Sequence, residues 1–244
     1  EFRRVLFRSG EARWSAGRLK RAGIEPSWDQ SPGEGTPERV GGFPPAAIAE
    51  MGAIGSTTAF YALFEDALRL RSGRTVDEQR THCAQLWARF SAVAETNPYA
   101  WDRSHHDVAA IRDASEANRM ICFPYPKSMV ANNTVNMASA ILLCSTEAAR
   151  SFGVGSDRFV FPQVVTSSHE SWEVLRRSEL AANPALSAAG RAALEHSGRD
   201  VAEIDHVDLY ACFPSIVQMS AAALGLDEAR QLTVTGGLGF AGAA

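Results

Sequence analysis

From Val135 onward the chain alternates between two hydrophobic patterns, and this alternation restricts its architecture more than any other feature. Residues 135–145 contain a continuous run of small apolar side chains suited to a buried strand. Ser145 and Thr146 are placed to cap a helix that begins at Glu147 and ends by Gly153. Residues 158–165 (RFVFPQVV) read as a second strand, and residues 187–197 as an alanine-rich helix stopped by Gly198. Residues 204–211 (IDHVDLYA) alternate like a third strand. Pro214–Leu224 reads as a helix with proline in its first turn and Gly225 past its end. Residues 232–235 form a last strand that runs into Gly236-Gly237. Strands and helices in turn predict a layered α/β fold and exclude an all-α bundle.

Upstream the spacing is helical. Residues 46–71 carry Phe60, Leu63, Phe64, Ala67, Leu68 and Leu70 at helical intervals. Residues 75–95 are the clearest helix, with Cys83, Leu86, Trp87, Phe90 and Ala94 recurring at three and four. Asp77 and Glu78 stand near its start, where negative charge suits the helix dipole. Asn97-Pro98-Tyr99-Ala100-Trp101 ends that helix, and residues 119–126 (RMICFPYP) read as a short extended stretch. Residues 10–23 read as the tail of a helix, and residues 26–45, rich in proline and glycine, as a linker. Residues 1–9 resemble a translated sequencing-adapter primer and are left out of the expected fold. With a last residue inside a glycine-rich segment, the chain is expected to be a gene fragment cut at both ends.

The 244 residues, 45% hydrophobic and 21% charged, suffice for a real core. A net charge of −4 excludes the basic face of a nucleic-acid binder. The longest apolar run, MASAILLC at residues 137–144, is far shorter than the roughly 20 residues that cross a bilayer. A soluble, cytoplasmic protein with no membrane partner is expected. Cys83, Cys122, Cys144 and Cys212 are scattered without a C-x-x-C pair, so neither a zinc site nor a redox motif is indicated. His105, His106, His169, His196 and His206 are expected at the surface, and no spacing marks a metal site.

Five motifs in order resemble the thiolase superfamily, in particular its sterol-carrier-protein-type members. Residues 186–194 (LSAAGRAAL) followed by 204–209 (IDHVDL) look like that family's helix and D-x-V/I-D strand. Tyr210-Ala211-Cys212-Phe213 occupies the place of its N-E-A-F or H-D-C-F motif. Residues 235–242 (TGGLGFAG) are similar to the start of its G-G-x-x-x-x-G-H-P loop. Asn97-Pro98-Tyr99-Ala100 resembles its N-P-Y-A/S segment, and residues 136–145 its D-G-A-A-A-A-I-L-x-S strand. The resemblance implies two α/β halves stacked as an α-β-α-β-α sandwich. Residues 10–23 would end the first half, 24–128 would form a mostly helical cap-like insertion, and 129–244 would belong to the second half.

The resemblance further implies chemistry on coenzyme A thioesters, without a resident cofactor, by an acyl-CoA acyltransferase of the acetyl-CoA C-acetyltransferase type in lipid metabolism. Two alternatives stand beside it: a thiolase-like retro-aldolase that cleaves a β-hydroxyacyl-CoA, and a non-catalytic acyl-CoA or lipid-binding scaffold. A homodimer and a small OB-fold partner are implied in the same way. Acyl transfer needs an activated thiolate, and the family's nucleophile would lie before Gly10. Cys83, Cys122 and Cys144 are expected to be inert. Cys212 and Tyr210 are the catalytic candidates, Cys212 as a pocket-lining thiol and Tyr210 as a donor to an oxyanion or as an acid in retro-aldol cleavage. Phe213 and Ser215 at the helix start, with Gly236, Gly237, Gly239 and Phe240, are expected to contact the thioester. Ala243 stands where the family carries a histidine, a departure from an ordinary thiolase site.

Overall fold

The computed structural model describes residues 2–9, 21–23, 45–135 and 137–242. Ala243 and most of the expected 10–23 helix tail and 26–45 linker lie outside the described residues. The elements in chain order are β1 (Phe2–Ser9), α1 (Pro45–Ile54), α2 (Thr57–Ser72), α3 (Val76–Thr96) and α4 (Val108–Arg112). They continue with β2 (Met120–Cys122), β3 (Tyr125–Pro126), β4 (Ala138–Cys144), α5 (Thr146–Ser151), α6 (Pro184–Ser197), α7 (Pro214–Leu224) and α8 (Gly237–Phe240).

The centre of the molecule is α3. Its start is a capping box: the Thr75 hydroxyl accepts from the Glu78 amide at 3.3 Å, and the Glu78 carboxylate accepts from the Thr75 amide at 2.7 Å. The apolar stripe seen in the sequence is the buried face, with Cys83, Leu86, Trp87, Phe90 and Ala94 all in the core. The Trp87 and Phe90 rings stack at 5.1 Å. Around this face pack Ile111, Tyr125 and Met129 from the middle of the chain, and Cys212, Phe213, Val217, Leu232 and Phe240 from its last third. Each such large side chain contributes about 1.5–3 kcal/mol of burial.

Helix ends follow the local chemistry. The single helix expected over 46–71 is two helices. Gly55 turns through φ +85°, and the Ser56 hydroxyl caps α2 by accepting from the Ala59 amide at 3.3 Å. Ser145 caps α5 in the same way at 3.1 Å. Gly198 and Gly225 close α6 and α7 in the left-handed region, as their positions in the sequence predict.

The expected strands fare differently. β4 forms, but its partner is β1, antiparallel from Phe2 opposite Cys144 to Ser9 opposite Ala138. The segment set aside at the sequence level therefore pairs as a strand. β4 is also not buried: Ile141, Leu142 and Leu143 are exposed, and Cys144 is half-buried. Among the described residues no second layer covers either face. Residues 158–165 form no ladder, and Val160 and Val165 are about nine-tenths exposed. Residues 204–211 and 232–235 run extended beside each other, joined by the Leu209 amide donating to the Leu232 carbonyl at 3.0 Å. A strand is completed only by neighbours that satisfy its N–H and C=O groups, and one bond is not a ladder. Among the described residues no helix is long and apolar enough to cross a membrane.

Candidate functional site

Three loops meet at the C-terminal end of α3. The first is the turn 209–213. The Cys212 carbonyl accepts from the Ala131 amide at 3.1 Å, and Phe213 takes an extended conformation that lets Pro214 open α7. The second is the glycine segment 236–242. Gly236 and Gly237 have φ of +103° and +72°, where a β-carbon is strained. At Gly236 a β-carbon would lie 2.7 Å from the Ala94 Cα, so the segment can approach α3 only as glycine. At Gly237 it would lie 3.1 Å from the Ala211 Cβ, which places the glycine turn directly against the residue between Tyr210 and Cys212.

The third loop is the N-P-Y-A segment. The Asn97 side-chain amide donates to the Thr235 carbonyl at 2.9 Å. The Trp101 and Asp102 amides donate to the carbonyls of Ala241 and Phe240 at 3.1 and 2.9 Å. His106 was expected at the surface with His105. His105 is exposed, but His106 is half-buried, pairs with Asp102 at 2.9 Å and stacks on the Phe240 ring at 5.4 Å. Phe240, from the glycine segment, supplies the neighbour that its own polar loop could not reveal.

Asp208 aligns the first two loops. One carboxylate oxygen accepts from the Thr233 hydroxyl at 2.8 Å and from the Val234 amide at 3.0 Å. Thr233 in turn accepts from the Gly236 amide at 3.0 Å. The D-x-V-D pattern was visible in the sequence, but this role requires knowing what lies across from it.

The Cys212 thiol is buried, with the hydroxyls of Tyr61 and Tyr210 as polar neighbours that act on its titration. Burial pushes the thiol pKa up, and the neighbouring tyrosine hydroxyls and the backbone of Cys212 and Phe213 offset this only in part. Cys212 is therefore a protonated thiol at neutral pH, poorly suited to nucleophilic attack. Burial also raises Tyr61 and, less strongly, Tyr210. Tyr210 keeps its proton at neutral pH and is mostly exposed, so it presents a neutral O–H donor.

Phe213 and Ser215, expected to touch substrate, are packed inside. Phe213 stacks on Tyr61 at 4.2 Å and leans on Tyr125 at 5.3 Å. The Ser215 hydroxyl lies 3.0 Å from the Tyr125 hydroxyl and donates to the Tyr61 carbonyl at 3.2 Å. Below them Glu65 is fully buried. It accepts from the Tyr125 hydroxyl at 2.7 Å and from the side-chain amides of Gln79 and Gln218 at 2.5 and 2.8 Å. Cys83 sits beside this cluster, its thiol pushed well up by burial and by Glu65. Gly236, Gly237 and Phe240 are buried as well, and Gly239 is half-buried. The expected site residues are thus brought together, but Tyr210 alone among them stands out toward solvent. Sequence reasoning missed Tyr61 and Glu65, polar residues on the apolar stripe of α2.

No protein-family model and no curated protein sequence matches the chain. Among solved structures, a monomeric SCP2-thiolase-like protein type 1 from Mycobacterium smegmatis is 34% identical with a TM-score of 0.72, over 81% of this chain. The chain belongs to the thiolase superfamily. A second solved structure, the Ltp2-ChsH2(DUF35) aldolase, has the same fold at 18% identity and a TM-score of 0.64, over 85% of this chain. This thiolase-superfamily chain spans 44% of the first of those chains and 57% of the second. The thiolase-like α/β fold expected from its motif order is the one it has. Among the described residues no group of three or more histidine, cysteine or acidic side chains is arranged to hold a metal ion.

Proposed function

We propose that the protein containing this chain acts on coenzyme A thioesters and cleaves a carbon–carbon bond of a β-hydroxyacyl-CoA by retro-aldol chemistry, with Tyr210 as the proton-transfer residue. The observation that carries this reading is the pairing of an exposed, protonated Tyr210 hydroxyl with a buried, protonated Cys212 against the glycine turn. A phenol that keeps its proton can hydrogen-bond the thioester oxygen as negative charge develops there. In the reaction the Cα–Cβ bond breaks, and its electron pair passes to the thioester enolate. As the bond breaks, the β-hydroxyl proton passes to the Tyr210 oxygen while the phenol's own proton passes to the α-carbon, so the β-carbon becomes a carbonyl and Tyr210 ends as a neutral phenol. No oxidant and no second thiol enter the balance. The aldolase among the structural neighbours supports this reading at the level of fold.

Acyl transfer is the second reading, favoured by the SCP2-thiolase-like name of the 34% identical neighbour. It would use the thiolate that the resemblance implies before Gly10, and Cys83 and Cys212, both raised by burial, would not be that nucleophile. Free coenzyme A separates the two. Retro-aldol cleavage releases an aldehyde or ketone and a shortened acyl-CoA without consuming coenzyme A, whereas thiolysis consumes one molecule per turnover. Cleavage that depends on added coenzyme A would reject the aldolase reading. A small partner protein, of the kind named for the aldolase neighbour, is part of this proposal. The homodimer implied by the resemblance is not, because the 34% identical neighbour is named as monomeric.

A further inference from the structure

We propose that the cleft between α2 and α6 receives the acyl part of the substrate and that Arg177 binds a carboxylate at its far end, so that the thioester is that of an anion-tipped acid. The inference deepens the Tyr210 reading and rests on it.

The cleft has a volume of about 650 Å³, within the size range of small-molecule sites. Phe60 and Phe64 of α2, Leu186 of α6 and Ile216 of α7 make its walls apolar. Tyr61 connects it to the site: the same residue lines the cleft and stacks on Phe213, the neighbour of Cys212. Phe64 comes next, meeting the Tyr61 ring edge-on at 6.0 Å, and the Arg177 guanidinium lies 5.9 Å from the Phe64 ring centre. A chain entering past Tyr61 would therefore run along Phe64 toward Arg177.

Glu170 and Arg177 are the two charged side chains among the lining residues. Glu170 is committed elsewhere, since its carboxylate accepts from the Ala185 amide at 2.8 Å in the first turn of α6. Arg177 has no such counterpart. Its Nε and Nη2 donate to the Ser171 carbonyl at 3.1 and 2.9 Å, and none of the ion pairs among the described residues includes it. A carbonyl satisfies N–H groups but leaves the positive charge uncompensated. A guanidinium held over an aromatic wall selects an anion, and a carboxylate fits its planar fork.

Titration calorimetry with octanoyl-CoA and the monothioester octanedioyl-CoA tests the proposal on the purified protein. Octanedioyl-CoA should bind about tenfold more tightly. In Arg177→Met the two affinities should come within about twofold, with octanoyl-CoA unchanged, and Arg177→Lys should keep part of the preference. Equal affinities in the unaltered protein, or a preference that survives Arg177→Met, would overturn the proposal. Free octanedioate, which has no thioester, tests the cleft apart from Tyr210. Arg177-dependent binding of the free diacid without binding of either thioester keeps the anion subsite and rejects the thioester reading. Absence of Arg177-dependent binding by all three rejects the subsite itself.

Discussion

Ala211 and Gly237 are packed so closely that the glycine is the one residue without a side chain that the contact tolerates: a β-carbon there would sit 3.1 Å from the Ala211 Cβ and 2.6 Å from the Phe90 ring. Ala211 stands between Tyr210 and Cys212, so the glycine segment packs directly against the turn that carries both. Gly237→Ala combines a positive φ of +72° with that crowding. It should lower stability by about 2–3 kcal/mol in urea unfolding. Gly239→Ala is the control. Its β-carbon would meet nothing closer than 3.4 Å, so the loss should stay below about 0.5 kcal/mol.

Glu65 is the acceptor on which three buried donors converge. Glu65→Ala would leave the Tyr125 hydroxyl and the Gln79 and Gln218 amides competing for fewer acceptors, at a cost of about 3 kcal/mol or more. Tyr125→Phe removes one donor and leaves the others served, so it should cost about 1 kcal/mol. Equal losses in the two variants would contradict the convergence.

His82 on α3 lies 2.9 Å from the Glu228 carboxylate, and the imidazole beside it holds the Glu228 carboxyl below its usual 4.5. A carboxylate with a depressed folded pKa contributes stability above its unfolded pKa and loses it as pH falls through the folded value. The contribution should be full above pH 4.5 with respect to Glu228 and fade below it. Partial exposure limits it to about 1 kcal/mol. Glu228→Gln should therefore flatten the acid limb of the stability profile, and an unchanged limb would show that the pair does not matter.

Cys212 should alkylate more slowly than Cys144 in iodoacetamide at neutral pH, because it is buried and its thiol is raised. Tyr61→Phe keeps the ring on Phe213 but removes the hydroxyl whose influence lowers the thiol pKa, so labelling should slow further. Peptide mass mapping reads both rates. Faster labelling of Cys212 than Cys144 would restore it as a nucleophile.

What the sequence made legible was what neighbours in the chain decide. Ser145, Gly198 and Gly225 mark helix ends through local hydrogen bonds and φ preference, and each performs that role. The motif order was legible because Asn97, Ala211 and Gly237 each carry a contact that a substitution would break. The pairing of 158–165, 204–211 and 232–235 was not, because a ladder is a property of two segments. Tyr61 and Glu65 were hidden for a related reason. They sit in a stretch of helical periodicity, and some of the partners that define their roles are 60 or more residues away, as the Tyr125–Glu65 bond shows.

The central claim is tested most directly by the turnover of a β-hydroxyacyl-CoA with Tyr210→Phe. Tyr210 is exposed, so the variant should fold and bind the thioester as before. The account predicts a fall in kcat of about a hundredfold or more, with KM little changed, because the lost proton transfer acts in the transition state. Undiminished cleavage by Tyr210→Phe would contradict it.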